Sequence, residues 1–507
     1  MATTKFLQAV GGMGGMGAVR RAVRGRHVSG SGVPRAAFRP KGCSTKERTQ
    51  AARSVATSVQ TRFEKRIRSK AFTFCTAGTT LARINVWPRF AALSLACFWL
   101  ALAGCQATAA PTVVLCGAGQ DVTEALRAAL RPEGPEVILR AVPNGATCSL
   151  SRSLMIPRGL NLAGQGHPVL RLSETGNAFR GDQRSRNFSI SGIAIDGSDA
   201  PKASAIALRG SSDGRLARLR LIRPGDGIVL AEGSHDIAIC DLEVVESRQH
   251  GVTIRDSRGN AVNGARLDGQ RGFGVVLVGT SHDNRLDRLS TRRSGLELVG
   301  MTVGTHNNTL ENSSANNTGD NCYSITGSNN RLRNLTGDRC AGSGITLYGS
   351  RNTLEGGRFT NNAQRHDVRP AWAGGVSFIQ GFGGVAQGNT VRDVTVDDDQ
   401  PRPTQQVGVL TTAAGYQAWR PGVAVRTGHY THSGLSLYVS RSSGVTGTRP
   451  PFGPGRVSDG AVVWELVNSF EGTLQPDGNT VENVQIGRAA RAPREDHSAS
   501  QHNIGTR

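Results

Sequence analysis

The residues best suited to chemistry lie in Thr318-Gly319-Asp320-Asn321-Cys322 and, one repeat further on, in Cys340-Ala341-Gly342-Ser343-Gly344. Turns nearby supply Arg223 and Asp226, then Arg248 and His250, Arg271, Arg292 and Arg293, and a longer loop carries Arg365, His366, Asp367, Arg369 and Trp372. This mixture of cations, carboxylates and imidazoles suits proton abstraction next to a carboxylate. Neutralising the carboxylate of a uronate makes its C5 proton acidic, and a base then removes it. Arg293 or Arg369 fits the first task; His250 or His366, oriented by Asp320 or Asp367, fits the second. A lyase and a C5-epimerase share this step, so the residues alone do not separate them. Arginines stacked at the ~5 Å spacing of neighbouring strands would hold successive carboxylates of an acidic polysaccharide in bidentate pairs. Arg223, Asp226, Arg248, Arg271, Arg292 and Trp372 are the expected binding residues of that groove, although each is also an ordinary residue of a solvated turn.

A second group of binding residues is expected in 417–467, where Trp419, Tyr430, Tyr438 and Trp464 are concentrated in a chain only 5% aromatic. Aromatic rings stack on sugar faces, and they equally form the core of a small module. No cofactor is required by this chemistry. Calcium would need converging oxygens, for which Asp397-Asp398-Asp399 is the only dense acidic cluster.

These residues must be positioned by short strands. Ala205-Ile-Ala-Leu208, Gly227-Ile-Val-Leu230, Gly251-Val-Thr-Ile254, Gly274-Val-Val-Leu277, Gly295-Leu-Glu-Leu298, Cys322-Tyr-Ser-Ile325, Gly344-Ile-Thr-Leu347 and Gly375-Val-Ser-Phe378 begin at steps of 22, 24, 23, 21, 27, 22 and 31. Such steps are too short for a helix-containing unit and right for a coil of three short strands. Asn284, Asn308, Asn330, Asn352, Asn389 and Asn479 each precede an inward apolar residue by two positions, which predicts a ladder satisfying turn backbone. The clearest helix is predicted over 122–130, before the first coil.

The pattern resembles the right-handed parallel β-helix proteins of the pectin lyase-like superfamily over about 113–487. That resemblance implies an all-β solenoid whose open N-terminal end is covered by a helix. The stretch around Asp320 is similar to the polygalacturonase-type hydrolases, in which Gly-Asp-Asp-Cys leads to Cys-x-Gly-His-Gly. There, the two matching cysteines are disulfide partners in many members, which implies a Cys322–Cys340 bond, and Asp320 matches the residue usually assigned as general acid. Asn321 replaces the second aspartate and Ser343 the histidine, and no Asn-x-Asp stands one repeat earlier. An inverting hydrolase needs both an acid and a base, so the standard mechanism is not expected. The 417–467 segment resembles small β modules of phage tail proteins and carbohydrate-binding inserts.

The net charge of +22 first suggests nucleic acid. Residues 1–104, however, hold 18 Lys and Arg against Glu47 and Glu64, leaving only +6 on the remainder, so no nucleic-acid partner is expected. The apolar run 90–103 and Leu102-Ala-Gly-Cys105 resemble a bacterial lipoprotein signal, with Cys105 lipidated. A lipid anchor is then the only membrane contact, with the outer membrane or cell surface favoured and the periplasmic face as the alternative. No Met lies between Met16 and Met155, which suggests a start near Val86. In an oxidising compartment Cys116 with Cys148 would staple the cap, and Cys240 is left as a buried thiol.

The expected organisation is a basic disordered extension (1–82), signal (83–104), capped β-helix (105–416), inserted module (417–467), last coil (468–487) and disordered tail (488–507). The expected function is binding of an acidic glycan with lyase or epimerase chemistry. The rivals are a non-catalytic surface or tail-fibre-like binding protein and a polygalacturonase-type hydrolase. A periplasmic factor for metal or cofactor delivery is disfavoured by the lack of His, Cys or Met clusters.

Overall fold

The computed structural model describes residues 109–507, apart from 174–175, 366–373, 382–383, 413–418, 434–435, 470–474, 497–502 and 506–507. The leader and the proposed lipidation residue Cys105 lie outside the described residues. From Thr112 onward the chain winds into a parallel, right-handed β-solenoid of about ten coils. A typical coil holds three strands, such as Ile206–Arg209, Arg215–Ala217 and Arg220–Ile222. The first belongs to the glycine-led sheet, and the other two belong to a longer second sheet.

Stacking in register makes the core. Ile206, Ile228, Val252, Val275, Val299, Tyr323, Ile345 and Val376 form one inward column, each fully buried. Branched side chains dominate because they fill a pleated, half-buried surface without many rotamers to lose. One expected strand is displaced. Val299 pairs with Val275 and with Tyr323, so the strand is Val299–Met301 and Leu298, not Gly295, stands level with Gly274 and Cys322. The uneven steps of 21 and 27 thereby become two equal steps of 24. Gly295 instead marks the turn. A Cβ there would lie 2.1 Å from the Arg271 carbonyl oxygen, so only glycine lets the chain pass the coil below.

The asparagine ladder forms as expected and is longer than expected, running from Asn260 through Asn284, Asn308, Asn330, Asn352, Asn389 and Asn479 to Asn503. Each Oδ1 accepts both the side-chain and the backbone N–H of the asparagine one coil earlier, as Asn352 does for Asn330 at 3.0 and 2.9 Å. At the N-terminal end, helix Thr123–Ala129 lays Val122 and Leu126, both 0% exposed, over the core. The Cys116–Cys148 disulfide staples this region, and Cys322–Cys340 joins neighbouring coils. Cys240 is buried but disulfide-bonded, which corrects its reading as a free thiol.

The solenoid also extends past the expected end. Ala492–Asp496 runs parallel to Val407–Thr412, and Ile504–Gly505 lies beside Thr480–Val481, where a disordered tail was expected. Pairing with an otherwise open sheet edge gives this polar segment the hydrogen bonds that its own composition does not promise. Between these coils the inserted module forms a four-stranded antiparallel sheet from Tyr430–Ser433, Ser436–Ser440, Val462–Ser469 and Arg456–Asp459. Its core is Val425, Tyr438, Val462 and Trp464.

Candidate functional site

The turn residue immediately before each glycine-led strand points away from the core and stacks on its counterpart in the next coil. Register places Asp226, His250, Phe273, Glu297, Asn321 and Ser343 in this one column. The acceptors in it bond backbone. Asp226 Oδ1 accepts the His250 N–H at 3.1 Å, His250 Nδ1 accepts the Phe273 N–H at 3.0 Å, and Asn321 Oδ1 accepts the Ser343 N–H at 2.8 Å. A turn side chain that reaches one coil up satisfies a donor that water cannot reach.

This arrangement changes what His250 can do. Because a backbone N–H can only donate, Nδ1 must hold the lone pair and Nε2 the hydrogen. Burial, and secondarily Arg255, hold the imidazole below its ordinary range despite the opposing pull of Asp226. His250 is therefore a neutral hydrogen-bond donor through Nε2, not the base assigned to it from sequence.

A better-placed carboxylate is Glu297, which is 6% exposed. Asn321 Nδ2 donates to Ser324 Oγ at 3.1 Å, and Ser324 Oγ donates in turn to Glu297 Oε1. Asp320 stands one position before Asn321, is 8% exposed, and accepts the Asn321 N–H at 3.0 Å. Thr318 Oγ1 fastens this turn by donating to the carbonyls of Asp320 and Asn321. The row continues along the sheet through Ser343 and Ser377, whose hydroxyls are 2.9 Å apart, with Thr346 between Ser324 and Ser377 in the strand column. Cys322 and Cys340 lock the two coils that carry Asn321 and Ser343. Sequence reading missed Glu297, Ser324 and Ser377. The signal was present, because moving the strand start from Gly295 to Leu298 brings Glu297 into line with His250 and Asn321.

The predicted arginine column splits in two. Arg248 and Arg271 share one position, while Arg223 and Arg293 share the preceding corner, with Arg292 beside the latter. None of the five forms an ion pair among the described residues; Arg248 donates to the Ser198 carbonyl oxygen at 3.1 Å. On the second sheet, by contrast, Arg285, Glu311, Arg333, Glu355 and Arg392 neutralise one another in a continuous chain. His366, Asp367, Arg369 and Trp372 lie outside the described residues.

Two of the four aromatic residues assigned to sugar binding are corrected. Tyr438 and Trp464 are 1% and 0% exposed, because a module this small has no other large side chains for its core. Trp419 packs half-buried against them and donates from Nε1 to Asp459 Oδ2 at 2.7 Å, and Tyr430 alone is exposed. In the acidic triplet, Asp397 accepts the N–H groups of Asp398 and Arg488, and Asp398 accepts those of Thr404 and Gln405. These carboxylates organise loop backbone.

The coil geometry makes the chain a right-handed parallel β-helix protein. Within that class, residues 176–373 match the family described as periplasmic copper-binding protein (NosD). Among solved structures, the A-module of the Azotobacter vinelandii mannuronan C-5 epimerase AlgE4 superposes with a TM-score of 0.53 at 14% identity, covering 77% of this chain and 97% of the module. The catalytic domain of a GH87 α-1,3-glucanase gives 0.47 at 11% identity, over 78% and 68% of the two chains. The Yersinia enterocolitica family 28 exopolygalacturonase gives 0.43 at 13%, over 60% and 74%. No curated protein matches the sequence significantly.

Proposed function

We propose that this is an exported β-helix protein that binds an acidic polysaccharide across the outer face of the glycine-led sheet and removes a C5 proton from a uronate, as an epimerase or a lyase. The observation that carries the reading is the Asn321–Ser324–Glu297 relay beside Asp320, flanked by five arginines with no ion pair among the described residues. Glu297 is the base, held by Ser324. Arg271 and Arg293 neutralise the substrate carboxylate, and His250 donates from Nε2 to a sugar oxygen. The likeness to a fold that hosts a mannuronan C-5 epimerase is consistent with this chemistry. Two disulfides and the match to a periplasmic family support export, and the Leu102–Cys105 signal supports lipid anchoring at the outer membrane. A hydrolase is the second reading, because Glu297 and Asp320 supply two carboxylates on neighbouring coils.

The test incubates the full chain in D2O with polymannuronate, polygalacturonate and a neutral glucan, with and without calcium. Deuterium at C5, ultraviolet absorbance from unsaturated uronate and new reducing ends are followed together. Deuterium incorporation or absorbance is expected on a uronate, reduced at least about 100-fold by Glu297→Gln. Reducing ends alone would establish the hydrolase instead, and silence in all three with retained glycan binding would leave a binding protein.

A further inference from the structure

The first strand of the second sheet, Thr112–Gly117, buries Val114 and Cys116 and turns Val113 and Leu115 outward, 41% and 52% exposed. Register places Ile138 beside Val113, Arg140 beside Leu115, and Val142, 51% exposed, beside Gly117. These four aliphatic side chains form one outward patch, continued by Ala163 beside Ile138. Elsewhere on the described solenoid, large apolar side chains are exposed only at Met155, on the other sheet, and Val303, in a turn. The outward column that begins with Val113 changes character along the axis. It is Val113, Ile138 and Ala163 at its start, and Asp287, Glu311, Arg333 and Glu355 in the later coils. A sheet that faces water on one side calls for the second kind of residue, and forming the strands does not require the first.

We propose that this patch rests on a phospholipid surface and so orients the protein on the membrane that holds it. The inference rests on the lipidation of Cys105. Val113 follows Cys105 by eight residues in the sequence, a span of at most about 29 Å even when fully extended. Some ten coils rising about 4.8 Å each make the solenoid roughly 48 Å long. The anchor therefore keeps the N-terminal coils close to the bilayer, and the apolar part of the column is the part within its reach. Four partly exposed aliphatic side chains are too few to hold a free protein on a membrane. A tethered protein needs far less, because the tether keeps the surface at about millimolar effective concentration. Arg140 stands exposed within the patch and donates from Nε to Gln165 Oε1 at 2.8 Å. That contact steadies the guanidinium, whose terminal nitrogens suit a lipid phosphate. Docking through the second sheet leaves the glycine-led sheet, which carries Glu297 and Ser324 on its outer side, open to a glycan.

The full chain, produced with its signal in a bacterial host, is reconstituted in vesicles of phosphatidylethanolamine and phosphatidylglycerol that contain a phospholipid with a diazirine in its upper acyl chain. After irradiation, lipid adducts are mapped by mass spectrometry, and the mass of the Cys105 peptide reports acylation separately. Adducts are expected on Val113, Leu115, Ile138 and Val142 but not on Met155, which is similarly exposed at 44% and lies on the other sheet. Leu115→Asp is expected to lower labelling of Ile138 and Val142 at least about tenfold while Cys105 stays acylated. The wild-type map keeps the test valid if the variant misfolds. An acylated chain whose labelling spares the patch overturns the proposal, whether or not copies cross-link through it. Labelling spread evenly over the patch and Met155 also overturns it, since the tether alone would produce that, as does unchanged labelling in a folded Leu115→Asp. An unacylated Cys105 removes the anchoring reading itself, and the proposal with it.

Discussion

His250 illustrates how stacking decides what a residue can do. Its sequence position invites a role as base, but the Phe273 N–H occupies Nδ1 and burial keeps the ring neutral. The consequence for stability has a definite sign. In the folded state the pKa is lowered, whereas in the unfolded chain it sits near the ordinary 6.5. As pH falls below about 6.5, the unfolded chain takes up a proton that the folded protein refuses, and stability declines until the folded pKa is reached. Thermal melts between pH 7.5 and 5 are expected to show this decline. It should be reduced in His250→Asn, which keeps an acceptor for the Phe273 N–H but does not titrate. Equal slopes in the two proteins would show that His250 contributes nothing to it. His429 in the inserted module is lowered by burial too and supplies a background common to both.

At the scale of elements, the asparagine ladder and the arginine–glutamate chain both run along the axis, yet they carry different weight. Asn330 is 1% exposed and receives the side-chain and backbone N–H groups of Asn308 on one oxygen. Asn330→Ala removes that acceptor from two buried donors and is expected to cost about 3 kcal/mol. Arg331, half exposed and 3.6 Å from Glu355, is a screened surface pair, so Arg331→Ala is expected to change stability by less than about 1 kcal/mol. Chemical denaturation of the two variants checks the contrast, and similar midpoints would refute it.

For the whole molecule, the insertion is a separate folding problem from the solenoid. Its core of Val425, Tyr438, Val462 and Trp464 contains no residue of the solenoid core, and Arg420–Glu495 at 3.5 Å links the two on the surface. Replacing 413–474 with a Gly/Ser linker of about ten residues is expected to leave the solenoid's melting temperature within a few degrees, because lengthening or shortening a surface loop costs little. A large loss of solenoid stability would mean that the module buttresses the last coils. If glycan binding survives the replacement, the binding face is the solenoid itself. That outcome agrees with the burial of Tyr438 and Trp464.

The solenoid, its N-terminal helix and the asparagine ladder were legible in the chain because each rests on local pattern, whereas the Cys322–Cys340 bond was expected from the resemblance around Asp320. Alternating apolar residues record which side of a strand is buried, and the spacing of 22–24 residues records the length of a coil. Register was less secure. Leu296 and Leu298 both suit an inward position, and only hydrogen bonding to Val275 and Tyr323 selects the second. That slip hid Glu297, whose place in the outward column depends on residues one coil away. The inward turn of Tyr438 and Trp464 and the pairing of the C-terminal strands were likewise decided by partners distant in sequence. Periodicity along the chain determined the fold of this protein; contacts between coils determined which of its side chains share the outward column and in what chemical state.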